Sequence, residues 1–192
     1  MRNGSFCKLY LLVLGMSLLI LLSCTKKEDI TIMLNTFGSG NSYTAGSGWT
    51  LGYAYSFPWY HAIRFSPDIS GTVSKYEIAV LRHHGGNQLN AWLVSDNSGS
   101  PGGLIEQFSF SVPSGSEDLM LSANSSINPS LIKGTRYWLV VAPLDVNNEL
   151  FGWYRNSPIS GITDAQSNSR NGPWTLLGED YAPTLRITGK SQ

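Results

Sequence analysis

Lys133-Gly-Thr-Arg-Tyr-Trp-Leu-Val-Val-Ala-Pro143 is the stretch on which the reading of this chain turns. A turn glycine opens it and a proline stops it. Between them Tyr137, Trp138, Leu139, Val140, Val141 and Ala142 form an unbroken apolar run rich in aromatic and β-branched residues. The run is too short and too tightly bracketed for a helix, and its composition suits a strand. Because no polar residue alternates within it, it predicts a central strand covered on both faces.

The segments around it carry the two-residue period of half-buried strands. Residues 72–81 set Tyr76, Ile78 and Val80 against Glu77, Ala79 and Leu81. Residues 89–94 set Leu89, Ala91 and Leu93 against Asn90, Trp92 and Val94. Phe108, Phe110 and Val112 end another segment, and Leu119, Leu121 and Ala123 repeat the period. Residues 53–57, 60–65, 150–155, 174–177 and 184–188 complete the set, with Gly, Pro, Asn, Asp or Ser between them. No segment sustains a helical period, although Asn128-Pro129-Ser130-Leu131 reads as one helical turn. The expectation is an all-β protein: a single antiparallel β-sandwich, jelly-roll-like, with about eight core strands.

The N-terminus reads as an address. Arg2 and Lys8 precede an apolar run over residues 9–22, shorter than the ~20 residues of a membrane span and suited to a secretory signal. It ends in Leu21-Leu22-Ser23-Cys24, which resembles the lipobox of bacterial lipoproteins. That resemblance implies cleavage before Cys24, a diacylglycerol on its sulfur and an acyl chain on its amine. Multiple acyl chains anchor a protein stably. The residue after Cys24 is Thr25, so the aspartate of inner-membrane retention is missing. Lys27-Glu28-Asp29 is similar to the surface-export signal of Bacteroidetes lipoproteins. The expected location is the cell envelope, at the outer membrane or cell surface rather than the inner membrane. The expected organisation is a signal over residues 1–23, a lipidated, flexible tether rich in Gly and Ser over 24–48, with room for one edge strand within residues 30–50, and the sandwich over 49–192.

Composition narrows the function. Loss of Arg2 and Lys8 with the signal turns 13 basic and 13 acidic side chains into a net charge of −2. No basic cluster survives for nucleic acid. The two cysteines are Cys7, in the signal, and Cys24, so the domain has no disulfide and no thiol nucleophile. Few charges, many aromatics and many glycines fit an extracellular β protein.

Three motifs carry a family resemblance. Trp92-Leu-Val-Ser-Asp-Asn-Ser-Gly-Ser-Pro-Gly-Gly-Leu-Ile105 reads as strand, turn, strand. The Gly-Thr-x-Tyr-Trp-Leu-Val pattern follows from Gly134, then Gly152-Trp153, then Gly172-Pro-Trp174. In this order, over residues 59–189, they resemble the choice-of-anchor R domain of bacterial surface proteins. The resemblance implies a jelly-roll-like sandwich attached to the envelope, with no established activity and no catalytic residue. The chain departs from the pattern at Gly134 and over the polar residues 156–171, read here as a long loop.

Candidate sites are few. His83-His84 reads as a solvated turn and His61 as structural. Asp96 and Asn97 offer oxygens to calcium, which takes six to eight ligands; the alternative is an Asx turn, and no cofactor is required. Glu77 and Glu106 lie in strands without alignment, while Glu117-Asp118 and Glu179-Asp180 are adjacent pairs whose side chains diverge. Neither arrangement makes the facing carboxylates of a glycosidase, so no catalytic residue is expected. Trp153, Arg155 and Trp174 flank the 156–171 loop and could line one aromatic site, although tryptophans also fill sandwich cores. The leading expectation is non-catalytic binding of a glycan or an envelope partner. A structural spacer and a glycan-active hydrolase are the rivals.

Overall fold

The computed structural model describes residues 29–115, 118–178 and 181–192. The signal, Cys24, Glu117, Glu179 and Asp180 lie outside the described residues. Fourteen extended segments are paired, all antiparallel: β1 (Ile30–Asn35), β2 (Thr44–Ala54), β3 (Phe57–Phe65), β4 (Gly71–His84), β5 (Gln88–Asn97), β6 (Ser100–Ser111), β7 (Asp118–Asn124), β8 (Ser130–Leu131), β9 (Tyr137–Pro143), β10 (Leu150–Asn156), β11 (Thr163–Ser167), β12 (Thr175–Gly178), β13 (Ala182–Pro183) and β14 (Arg186–Ser191). The only helical piece among the described residues is a 3-10 turn at Ser39–Asn41. The fold is an all-β sandwich. It exceeds the about eight core strands expected from the sequence because short segments share partners along long strands.

Sheet II runs β12-β11-β3-β9-β5-β6. Sheet I is built on β4, whose one edge meets β14 along Gly71–Glu77 and then β10 along Val80–His84. Its other edge carries β8 and β7; β1 lies outside β14 and β2 outside β10. The β2–β3 hairpin bends one sheet into the other, because β3 pairs with β2 at Phe57–Trp59 and with β9 from His61 onward.

The fork where β4 changes partner would strand backbone groups in the interior. Two buried threonines fill it. Ala79 N donates to Thr184 Oγ1 at 2.9 Å, and that hydroxyl donates to Ala79 O at 3.2 Å. Thr36 Oγ1 donates to Pro183 O and accepts from Leu185 N, both at 2.6 Å. Buried backbone groups left without such partners would each cost about 1–3 kcal/mol.

Strand β9 is buried on both faces, as its composition predicts. Tyr137, Leu139 and Val141 enter the core between the sheets, where Tyr76, Ile78, Val80, Leu89, Leu93, Phe110 and Leu121 meet them. Trp138, Val140 and Ala142 enter a second cluster on the outer face of sheet II, with Ala62, Trp92, Val94 and Ala165. A buried glutamate helps to close the sandwich. Glu106 accepts from Tyr76 Oη at 2.8 Å, Ser125 Oγ at 2.9 Å and Ser126 N at 2.7 Å, while Tyr76 stacks on Phe108 at 4.1 Å. Burial and the adjoining Glu106 carboxylate push the Tyr76 phenol up.

Three expectations change. The sandwich reaches back into the expected tether: Ile30–Asn35 pairs with β14, and Met33 and Leu34 enter the core, so the boundary drawn at Trp49 falls inside a sheet. The polar residues 156–171 contain β11, which pairs with β3. Its Thr, Asp and Ser side chains are buried without the apolar period that marks a strand in sequence. Ser130 and Leu131, read as part of a helical turn, instead pair with Thr72 and Gly71, after Asn128 turns the chain at φ 49°.

Candidate functional site

The β2–β3 hairpin turns on Tyr55 (φ 53°) and Ser56 (φ 70°). Two consecutive left-handed residues match the twist of a two-residue hairpin, but glycine or asparagine fills such positions more cheaply than tyrosine. The turn is held by Trp59 Nε1, which donates to Ala54 O at 3.1 Å. Its consequence is that the Tyr55 ring stands 87% exposed.

Beneath that ring the outer face of sheet I carries a groove of about 390 Å³, within the usual range for small-ligand sites. The register across three strands explains it. Thr50, Gly152 and Leu81 form one row, and Gly48 and Tyr154 the next. Two glycines therefore leave the floor bare. A Cβ on Gly152 would stand 3.6 Å from Leu81 Cβ and 3.7 Å from His83 Nε2, so any longer side chain fills the groove. A Cβ on Gly48 would stand 2.9 Å from the Trp153 carbonyl, which the backbone does not allow without a shift. Tyr154 forms the far wall, stacked on Tyr43 at 4.7 Å, with its hydroxyl donating to Asp118. Exposed His83 and the Leu81 side chain make the side.

The residues proposed from sequence do not come together. Trp153 is fully buried and its Nε1 donates to Thr184 O at 2.8 Å. Strand alternation turns Gly152 and Tyr154 outward and Trp153 into the core, so it cannot line a surface site. Arg155 stacks its guanidinium on the rings of Trp49 (4.9 Å) and Tyr181 (3.8 Å). Trp174 packs on the far sheet, against the cluster that holds Trp92 and Trp138. The three therefore occupy three environments. The weak calcium candidates are similarly placed by the protein's own needs: Asp96 accepts from Trp138 Nε1 at 2.7 Å and from Gly99 N at 3.1 Å, and Asn97 is exposed. No three His, Cys, Asp or Glu are grouped to hold a metal among the described residues.

The sequence signal that could have found the groove is Gly152 itself, a glycine inside an apolar strand, which marks close approach of another group. The exposure of Tyr55 depends on the left-handed turn and the position of His83 on the register, and neither was readable.

The strand carboxylates are committed elsewhere. Glu77 accepts from Arg186 at 2.6 Å and Lys75 at 3.1 Å, and the Arg186 hydrogen bond holds its carboxyl below the usual range. His61 is fully buried, stacked on Trp49 at 5.4 Å, and desolvation lowers its pKa to about 3. Its Nδ1 and the Trp49 Nε1 have no hydrogen-bond partner among the described residues.

No protein-family model matches the chain, and no curated protein matches it. Among the described residues, no helix is long and apolar enough to cross a membrane.

Proposed function

We propose that this chain is a lipid-anchored protein of the cell envelope whose sandwich binds a neutral glycan, without catalysis, in the groove on sheet I. The observation that carries the reading is the bare floor of Gly48 and Gly152 beneath an exposed tyrosine. Sugars present flat C–H faces that stack on aromatic rings, while hydroxyl and imidazole groups fix their hydroxyls. Tyr55 offers the ring, and Thr50 and His83 offer the polar groups. The commitment of Glu77 to two cations and of Glu106 to three donor groups favours binding over hydrolysis. The Leu21–Cys24 motif and the resemblance to the choice-of-anchor R domain support the anchor.

The test is a glycan array followed by calorimetry, with and without calcium. Gly152→Val keeps a strand-forming residue but fills the floor, and Tyr55→Asn removes the ring while suiting the turn. A neutral glycan hit lost in both folded variants supports the reading. Absence of any hit moves the protein to a spacer role. For the anchor, Cys24→Ser should abolish palmitate labelling and release the protein from membranes; retained labelling refutes it.

A further inference from the structure

The outer face of sheet II holds a second groove of different chemistry. Trp92, Val94 and Val140 form its floor, set there by the pairing of β5 with β9. Pro101, Gly102 and Leu104 form one wall, where register shifts on either side of Val94 interrupt the β5–β6 ladder before it resumes at Asp96 and Pro101. The other wall is the turn after β11, which brings Arg170 and Asn171 back over the sheet. That turn is fastened at several points. Asn168 Nδ2 donates to Pro58 O at 3.0 Å, Ser169 N to Ser167 Oγ at 3.1 Å, Asn171 N to Ser169 Oγ at 3.3 Å and Gly172 N to Ser169 O at 3.1 Å. The space enclosed is about 250 Å³.

The charge in this groove is unbalanced. Arg170 lies 5.6 Å over the Trp92 ring and forms no ion pair among the described residues. Arg64 lies 5.6 Å over the neighbouring Trp138 ring and donates to Thr163 Oγ1 at 2.8 Å. The Asp96 carboxylate on the same face is already hydrogen-bonded by Trp138 and Gly99. Arg170 in the groove and Arg64 beside it thus share this face with the Asp96 carboxylate, which is already hydrogen-bonded. A guanidinium presents paired N–H donors that match a carboxylate, and an aromatic face beneath it holds its plane without using them. The Asn171 side chain adds one donor and one acceptor, the pattern that reads sugar hydroxyls.

We propose that this groove binds a carboxylate-bearing sugar, a single hexuronate unit, with Arg170 on the carboxylate and Asn171 on the adjacent hydroxyls. The inference is independent of the groove on sheet I, which lies on the opposite face and whose lining carries no guanidinium or ammonium group.

Glucuronate, glucose and acetate, titrated against the protein and followed by amide chemical shifts, test it. Glucuronate should bind and shift residues around Arg170; glucose, which lacks the carboxylate, should bind more weakly by roughly tenfold or more, the usual worth of a charge-assisted hydrogen bond, and acetate, which lacks the ring and its hydroxyls, should also bind more weakly. Binding should weaken as salt rises from about 50 to about 500 mM. Arg170→Ala should lose glucuronate by roughly tenfold or more and Arg170→Lys by less. Gly152→Val, on the other sheet, should leave it unchanged. Arg170 is exposed but covers the Trp92 ring, so each variant is first checked for a dispersed amide spectrum, and Arg170→Lys keeps an aliphatic stem over that ring. Equal binding of glucose, equal binding of acetate, an Arg170→Ala variant that binds as before, or no glucuronate binding would each overturn the proposal.

Discussion

Acidification should weaken this fold, and His61 carries a share of the loss that can be isolated. Its imidazole is wholly buried, and desolvation lowers its pKa from 6.5 to about 3. A histidine whose folded pKa is depressed contributes stability that is complete above the unfolded pKa. That contribution is lost as pH falls from 6.5 toward about 3. At about 1.4 kcal/mol per unit, the loss by pH 4 is roughly 3 kcal/mol, a large part of the 5–15 kcal/mol that holds a typical domain. The assay is urea unfolding at pH 7 and pH 4 for the natural protein and for His61→Phe. Phenylalanine keeps a ring against Trp49 and removes both the charge and the orphaned Nδ1. The depressed Glu77 carboxyl also loses stability in acid, but it is present in both proteins and cancels in the comparison. His61→Phe should therefore lose roughly 3 kcal/mol less between the two pH values. Parallel losses in both proteins, or an imidazole that titrates near 6.5 by NMR, would refute the reasoning.

Trp138→Ala removes a fully buried ring and leaves Asp96 without its indole donor; it should cost ~3–5 kcal/mol, read from the unfolding midpoint, and near-normal stability would show that the outer cluster of sheet II is dispensable. Thr184→Val keeps the shape at the fork of β4 but strips the hydroxyl from Ala79 N and O, with an expected loss of about 1–3 kcal/mol in the same assay. Gly189→Ala forces a Cβ to within 2.0 Å of the Thr72 carbonyl, so β14 and β4 must part and the melting temperature should fall by several degrees.

Each signal in the sequence reaches only a few residues along the chain. Alternation is a local property, so the inward sets Tyr76, Ile78, Val80 and Leu89, Ala91, Leu93 were readable, as was the double burial of β9. Strand β11 escaped because its buried side chains are mostly polar, so it shows neither an apolar period nor the run of aromatic and β-branched residues that marked β9. An edge strand was allowed for within the linker, but its place at Ile30–Asn35 was not readable, because a glycine-rich stretch follows it and nothing local shows that β14 waits to pair with it.

What the sequence by itself determined is the class of fold, most of the long strands and their apolar faces, and the place of β9 at the centre; the β2–β3 turn at Tyr55 and Ser56 fell inside a stretch read as a strand. What only the tertiary structure decided is which outward-facing residues meet. Gly48, Gly152, Leu81 and His83 share a groove because the β4–β10–β2 register aligns them, and Trp153 is withheld from it by the same alternation that turns Gly152 outward. Arg170 faces Trp92 only because the turn after β11 folds back over sheet II. Strand formation depends on neighbours in the chain, whereas a site depends on register between distant strands, and a slip of one residue would turn each of these side chains to the opposite face.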